Sequence, residues 1–369
     1  MPSSTSSFRR RACALQDAAH LAFGVFTAVA LGAAAHLLAA PGLWAADIVA
    51  YRRPPDRGSF YLAHDRGGHV DHHVLYHGID EHSLARMRES DMLFLGNSRL
   101  MFALPGDVLR RFFEARGLSY YVLGFGHEEQ DDFPLRIIRR FDLRPSLVVI
   151  NADGFFAADQ SAWAEQVMRE NAFDAWKLQL EAEAAHRVRR VLHTFVPHYV
   201  DARTREREFV IFRSRDDGTW FVATDFGEGG AFAWPSDVRR PPDDRALAAA
   251  LAFKREIESR GARLVLTIVP APEASVHRAR AMAAYLNVPL IVPDAGALRT
   301  IDGSHLSKES AARVAASLLE QLDRIEDLHA LSEDAVSRWD DEGQDSGTPS
   351  IRHQPASSPA GERSSAISP

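Results

Sequence analysis

The stretch Asp91-Met-Leu-Phe-Leu-Gly-Asn-Ser-Arg99 decides the fold. Met92 to Leu95 form an unbroken apolar run, Gly96-Asn97-Ser98 is a turn sequence, and Leu104-Pro-Gly-Asp107 opens an apolar-periodic segment ending near Phe113. A short continuous apolar run bounded by turn formers reads as a strand buried on both faces. Feeding a turn and then a helix, it delivers Ser98 to the carboxyl edge of a sheet, where ligands bind in open α/β folds. Ser98 is therefore the first candidate nucleophile, although Gly-Asn-Ser is also an ordinary turn.

A second stretch, Asp302-Gly-Ser-His-Leu-Ser307, precedes a helical pattern from Lys308 to Leu322. A serine hydroxyl attacks well only when a base takes its proton, and an imidazole serves best when a carboxylate fixes its tautomer. The Asp-x-x-His spacing puts carboxylate and imidazole on one tight loop, so Asp302 and His305 can supply both. The competing reading makes Ser304 or Ser307 the cap of the following helix and His305 a loop histidine.

Together these stretches resemble the SGNH, or GDSL-like, family of serine hydrolases and acyltransferases. Gly96-Asn97-Ser98-Arg99 is similar to its nucleophile block, with Asn97 where the family often has Asp, and Asp302-x-x-His305 to the block supplying acid and base. The resemblance covers about residues 88 to 325 and implies a Ser98, His305, Asp302 triad. It also implies an oxyanion hole. Ser98 and Gly124 of Gly124-Phe-Gly126 would contribute backbone N–H groups, with Gly126 in reserve. In Asn151-Ala-Asp153-Gly154, where the family pattern is Gly-x-Asn-Asp, Asp153 occupies the asparagine position. An ionised carboxylate has no proton to donate, so the third donor is either Asn151 in a shifted register or missing.

With 369 residues, 46% of them hydrophobic, the chain is long enough for one large core, and its net charge of −7 argues against a nucleic-acid binder. The single cysteine, Cys13, excludes an intrachain disulfide framework but not an oxidising compartment. Residues 1–17 carry Arg9-Arg10-Arg11. Residues 18–40 have no formal charge apart from protonation of His20 and His36, and suffice to cross the ~30 Å hydrocarbon core. The arginines favour a cytoplasmic N-terminus with the rest exported. A cleaved signal peptide, with small residues at Ala39-Ala40 and Ala45-Ala46, is the rival, but the run exceeds the usual apolar length of one. Residues 41–87 read as a juxtamembrane segment containing His64, His69, His72, His73, His77 and His82. Histidines at that density bind zinc or copper, yet no cysteine or regular ligand spacing accompanies them, so a solvated loop without metal is expected.

Residues 88–331 alternate strand-like runs (118–123, 147–150, 263–269, 288–292) with helical ones, interrupted by an insert at about 157–240. That alternation predicts a three-layer α/β/α, SGNH- or flavodoxin-like domain with a mainly parallel sheet of about five strands, besides the transmembrane helix. In the insert, Trp220, Phe221, Phe226, Phe232 and Trp234 suit either a sugar-stacking platform or internal packing. Residues 332–369 have a disordered composition. The expectation is a single-pass inner-membrane protein whose periplasmic domain is a serine esterase or O-acyltransferase. Its substrates would be acyl, foremost acetyl, esters of an envelope or exported polysaccharide, and it would need no cofactor. Resemblance to polysaccharide O-acetylation proteins implies a multispanning acyl-transport partner. The alternatives are a catalytically silent glycan-binding or scaffolding module and a soluble cytosolic esterase.

Overall fold

A computed structural model describes residues 58–65, 68–126, 130–156, 161–195, 210–223, 229–235 and 238–325. The segments 1–17, 18–40 and 332–369, and part of 41–87, lie outside the described residues. Among those described, no helix is long and apolar enough to cross a membrane. The chain enters through β1 (Phe60–Asp65), β2 (Gly68–His69), α1 (Val70–His77) and α2 (Glu81–Glu89). Next come β3 (Met92–Gly96), α3 (Ser98–Ala103), α4 (Gly106–Glu114), β4 (Tyr120–Gly124), α5 (Asp132–Arg140) and β5 (Leu147–Asn151). The insert holds α6 (Ala162–Arg169), α7 (Ala172–Phe195), β6 (Ile211–Ser214), β7 (Trp220–Val222) and β8 (Ala231–Phe232). It is followed by α8 (Asp244–Ser259), β9 (Arg263–Thr267), α9 (Val276–Leu286), β10 (Leu290–Ile291), β11 (Leu298–Arg299) and α10 (Lys308–Asp323).

The main sheet has five parallel strands in the order β4-β3-β5-β9-β10. Counted along the chain this is 2-1-3-4-5, the flavodoxin-like order, whose switch point falls between the first and third strands. Here those are β3 and β5, so the segments leaving them, Asn97-Ser98 and Ala152-Asp153, face one crevice. Period-two alternation explains the unbroken apolar runs. Leu93, Leu95, Val148, Ile150, Leu264 and Leu266 pack on one side with Phe133, Ile137, Phe253 and Met282. Met92, Phe94, Leu147, Val149 and Val265 pack on the other with Leu109, Phe113, Val314 and Leu318.

The histidine-rich segment is not a solvated loop. β1 and β2 join β6 and β7 in a four-stranded antiparallel sheet, ordered β2-β1-β6-β7, and α1 buries Asp71, His72 and His73. What makes this burial possible is Arg213 of β6, itself fully buried, whose Nη1 lies 3.0 Å from Asp71 Oδ2. A buried carboxylate persists when paired and hydrogen-bonded. The insert thus closes over the segment before the main parallel sheet, and β8 pairs with β11.

Asp131, at the N-terminal edge of α5, gives a pH test of the packing. Burial pushes its carboxyl up to about 6; its own backbone N–H opposes the shift and neighbouring Asp132 adds to it. Since the folded pKa lies above the unfolded one, ionisation destabilises the fold, an effect absent below about pH 4 and complete above about pH 6. Asp131→Asn should therefore raise the unfolding free energy by about 1–2 kcal/mol at pH 8, discounted for partial exposure, and leave it unchanged near pH 4. Urea unfolding at the two pH values checks this, and equal effects at both would refute it.

Candidate active site

Ser98 is the first residue of α3, and Asn97 is its N-cap, accepting from Arg99 N–H at 3.1 Å. β3 thereby ends in a helix start that presents the hydroxyl at the switch point. From the far end of the domain comes the loop 300–307, closed by the Thr300–Leu306 bridge and by Ile301 N–H donating to His305 O at 2.8 Å. Gly303 turns the loop at φ 89°, a conformation that suits glycine. Asp302 Oδ1 accepts from the N–H groups of Ser304 (2.9 Å) and His305 (2.8 Å). Its Oδ2 is 2.7 Å from His305 Nδ1, and His305 Nε2 is 2.9 Å from Ser98 Oγ.

The hydroxyl, imidazole and carboxylate therefore stand in one hydrogen-bonded row. Burial alone would raise the Asp302 pKa. The His305 N–H, the His305 ring and the Ser304 N–H outweigh it, holding the carboxyl below its ordinary value. An ionised Asp302 accepts a hydrogen bond from Nδ1–H, which fixes that tautomer and leaves the Nε2 lone pair facing Ser98. Ser307 meanwhile caps α10, accepting from Ser310 N–H at 3.4 Å, so helix capping and the row share one loop.

The expected oxyanion donors fare differently. Asn151 is wholly buried, with Nδ2 donating to Asn97 Oδ1 at 3.3 Å and Oδ1 accepting from Val269 N–H at 3.0 Å. Its amide ties β5 to the neighbouring loops, with one of the two Nδ2 hydrogens on Asn97. The Asp153 carboxylate is taken by Arg99, and its carbonyl accepts from Asn97 Nδ2 at 3.0 Å, so it too is structural. Gly124 turns its carbonyl to Arg213 Nη1 (3.0 Å) at the outer edge of the sheet, whereas Phe125 N–H donates inward to Gly96 O (3.0 Å). N–H and C=O of an extended residue share one edge of its strand, so the Gly124 N–H faces away from β3 and does not fit the oxyanion role. Its lack of a side chain serves packing: a Cβ there would lie 2.5 Å from Met101 Sδ. Gly126 lies beyond the strand end on the loop after β4.

Three neighbours, Arg99, Phe102 and Trp220, were given no role beside the row by the sequence. Arg99 pairs with both Asp153 and Glu273, and its Nε donates to Ser304 Oγ at 3.1 Å. One guanidinium thus ties the helix that Ser98 opens to the His305 loop. Phe102 lies with its ring centre 4.4 Å from that of His305, and Trp220 meets Phe102 edge-on at 5.9 Å. Of the insert's aromatics, Phe221 packs on Phe60, Trp220, Phe232 and Trp234 border one core cluster, Trp234 Nε1 donates to Pro293 O, and Phe226 lies outside the described residues.

Neither a protein-family model nor a curated protein matches this chain. Among solved structures it is similar to the crystal structure of a protein from Bacteroides fragilis NCTC 9343 that carries the provisional name acylhydrolase. The identity is 13%, the TM-score 0.31, and the match covers 68% of this chain and 93% of that one. A TM-score of 0.31 does not establish a shared fold, and 13% identity transfers no residue role.

Proposed function

We propose that this chain is an SGNH-type serine esterase or O-acyltransferase. The observation carrying the reading is the row from Ser98 Oγ through His305 Nε2 and Nδ1 to Asp302 Oδ2, with steps of 2.9 and 2.7 Å. His305 accepts the hydroxyl proton as Ser98 Oγ bonds to the ester carbonyl carbon. The resulting oxyanion is met by the Ser98 N–H, which as a first-turn donor lacks an intrahelical acceptor. Collapse expels the alcohol, which takes the proton from His305 and leaves an acyl-serine. Water, or a sugar hydroxyl in the transferase case, then attacks with His305 as base and releases Ser98. Export behind an uncleaved anchor at 18–40, and acetylated envelope polysaccharide as substrate, belong to the same proposal and rest on sequence character and resemblance.

The purified chain is expected to hydrolyse p-nitrophenyl acetate and to react stoichiometrically with a fluorophosphonate probe. A silent glycan-binding module is the second reading, favoured by the structural employment of Asn151 and Asp153. No turnover and no labelling, together with retention on a polysaccharide column, would establish it instead.

Arg99 supplies a further test. Removing it frees the His305 loop and leaves the Asp153 and Glu273 carboxylates uncompensated beside the developing oxyanion. Arg99→Ala should lower kcat about 10–100-fold, on the order of 1.4–2.7 kcal/mol of lost transition-state stabilisation. Asp153→Asn in the same chain should restore part of that, which a double-mutant cycle measures. Strict additivity would remove Arg99 from this role.

A further inference from the structure

We propose that His69, Asp71 and His72 form a binding site for one divalent transition-metal ion, of which zinc is the best chemical fit. One ligand atom from each of the three residues lies within 4.8 Å of the other two, and Asp71 and His72 are fully buried while His69 is partly so. The contact between Asp71 Oδ1 and His72 Nδ1 is 2.9 Å, close to the separation of two ligands on a single small ion. Exchanging the proton between them for a metal therefore needs only a slight opening, with His69 swinging in as the third ligand.

The local chemistry selects the ion. Two imidazoles and one carboxylate suit a borderline metal, whereas calcium and magnesium require predominantly oxygen ligands. The surroundings resemble a prepared outer shell. Asp71 keeps its other oxygen on Arg213 Nη1 at 3.0 Å, which orients the carboxylate, and the His72 ring packs against Phe125 and Phe133. The His64 ring stacks on that of His69 with centres 4.3 Å apart. Because Arg213 places a positive charge beside Asp71, affinity is moderate rather than extreme.

The site also has a defined reach into the rest of the molecule. Arg213 donates to Val122 O (2.5 Å) and Gly124 O (3.0 Å), so an ion on Asp71 is two contacts from the end of β4. A Cβ on Gly126 would lie 2.8 Å from His69 Cε1, so the His69 ring backs directly onto the loop leaving that strand. The ion is thus a clamp between the histidine-bearing segment and the main sheet.

The full chain, purified in detergent with a tag free of histidine, is the material for the test. Equilibrium dialysis against zinc should give one ion per chain, and cobalt(II) should produce visible d–d absorption that zinc abolishes. His69→Ala, a partly exposed position, should weaken zinc binding about a hundred-fold or more. His82→Ala, exposed and paired with Asp216, should leave it unchanged. Zinc should raise the thermal midpoint of wild type and not of His69→Ala. Failure of the wild type to retain zinc, absence of the cobalt spectrum, or equal binding by His69→Ala overturns the proposal. All readouts are independent of ester turnover, so they stand or fall apart from the catalytic reading.

Discussion

Ser98→Ala is expected to reduce kcat for p-nitrophenyl acetate by about 10⁴–10⁶ and to abolish fluorophosphonate labelling, with the fold intact. The size follows from the hydroxyl's position. It is the group within reach of His305 Nε2, at 2.9 Å, and it starts a helix whose own N–H adjoins the new oxyanion. Without it water must attack directly, and the covalent route is lost. Stability should change by less than about 1 kcal/mol, because only one hydrogen bond to a partly exposed ring disappears. Full labelling or turnover after the substitution would mean that another side chain is the nucleophile.

Why Ser98 and His305 were legible in the sequence is a matter of range. Each sits in a contiguous motif whose flanking strand or helix announces itself by apolar periodicity: Met92 to Leu95 before the serine, Lys308 to Leu322 after the histidine. Their meeting, 207 positions apart, was implied by the family resemblance, with the parallel alternation that brings strand ends to one edge as its frame. Pairings without such a frame were invisible. Arg213 reaches Asp71 across 142 positions, from an insert that had no reading in terms of the histidine segment, so buried imidazoles looked like a solvated loop. Likewise the Arg99 link to Glu273 spans 174 positions and joins the first turn of α3 to the loop after β9, where no periodicity speaks. Asn151 was ambiguous for another reason. The register of the resemblance offers its amide to catalysis, whereas here one Nδ2 hydrogen goes to Asn97 and Oδ1 to Val269, joining β5 to both.

Asp302→Asn should lower kcat/KM by about 10³–10⁴, more than loss of a mere surface charge would produce. Two backbone N–H groups, those of Ser304 and His305, point at Oδ1, so the asparagine carbonyl is held there and its NH₂ is driven toward the His305 ring. Facing a donor, Nδ1 must become the acceptor, and the ring proton moves to Nε2. An imidazole protonated at Nε2 cannot accept the Ser98 proton, so the substitution switches the base off by tautomer while leaving the loop in place. Flipping the amide would restore the ring contact but set NH₂ against two N–H donors. Asp302→Ala makes the contrast informative, since it drops the carboxylate without imposing the wrong tautomer and should retain more activity than the asparagine variant. If Asp302→Asn stays within ten-fold of wild type while folded, the carboxylate is only a loop fastener and His305 takes its tautomer from elsewhere.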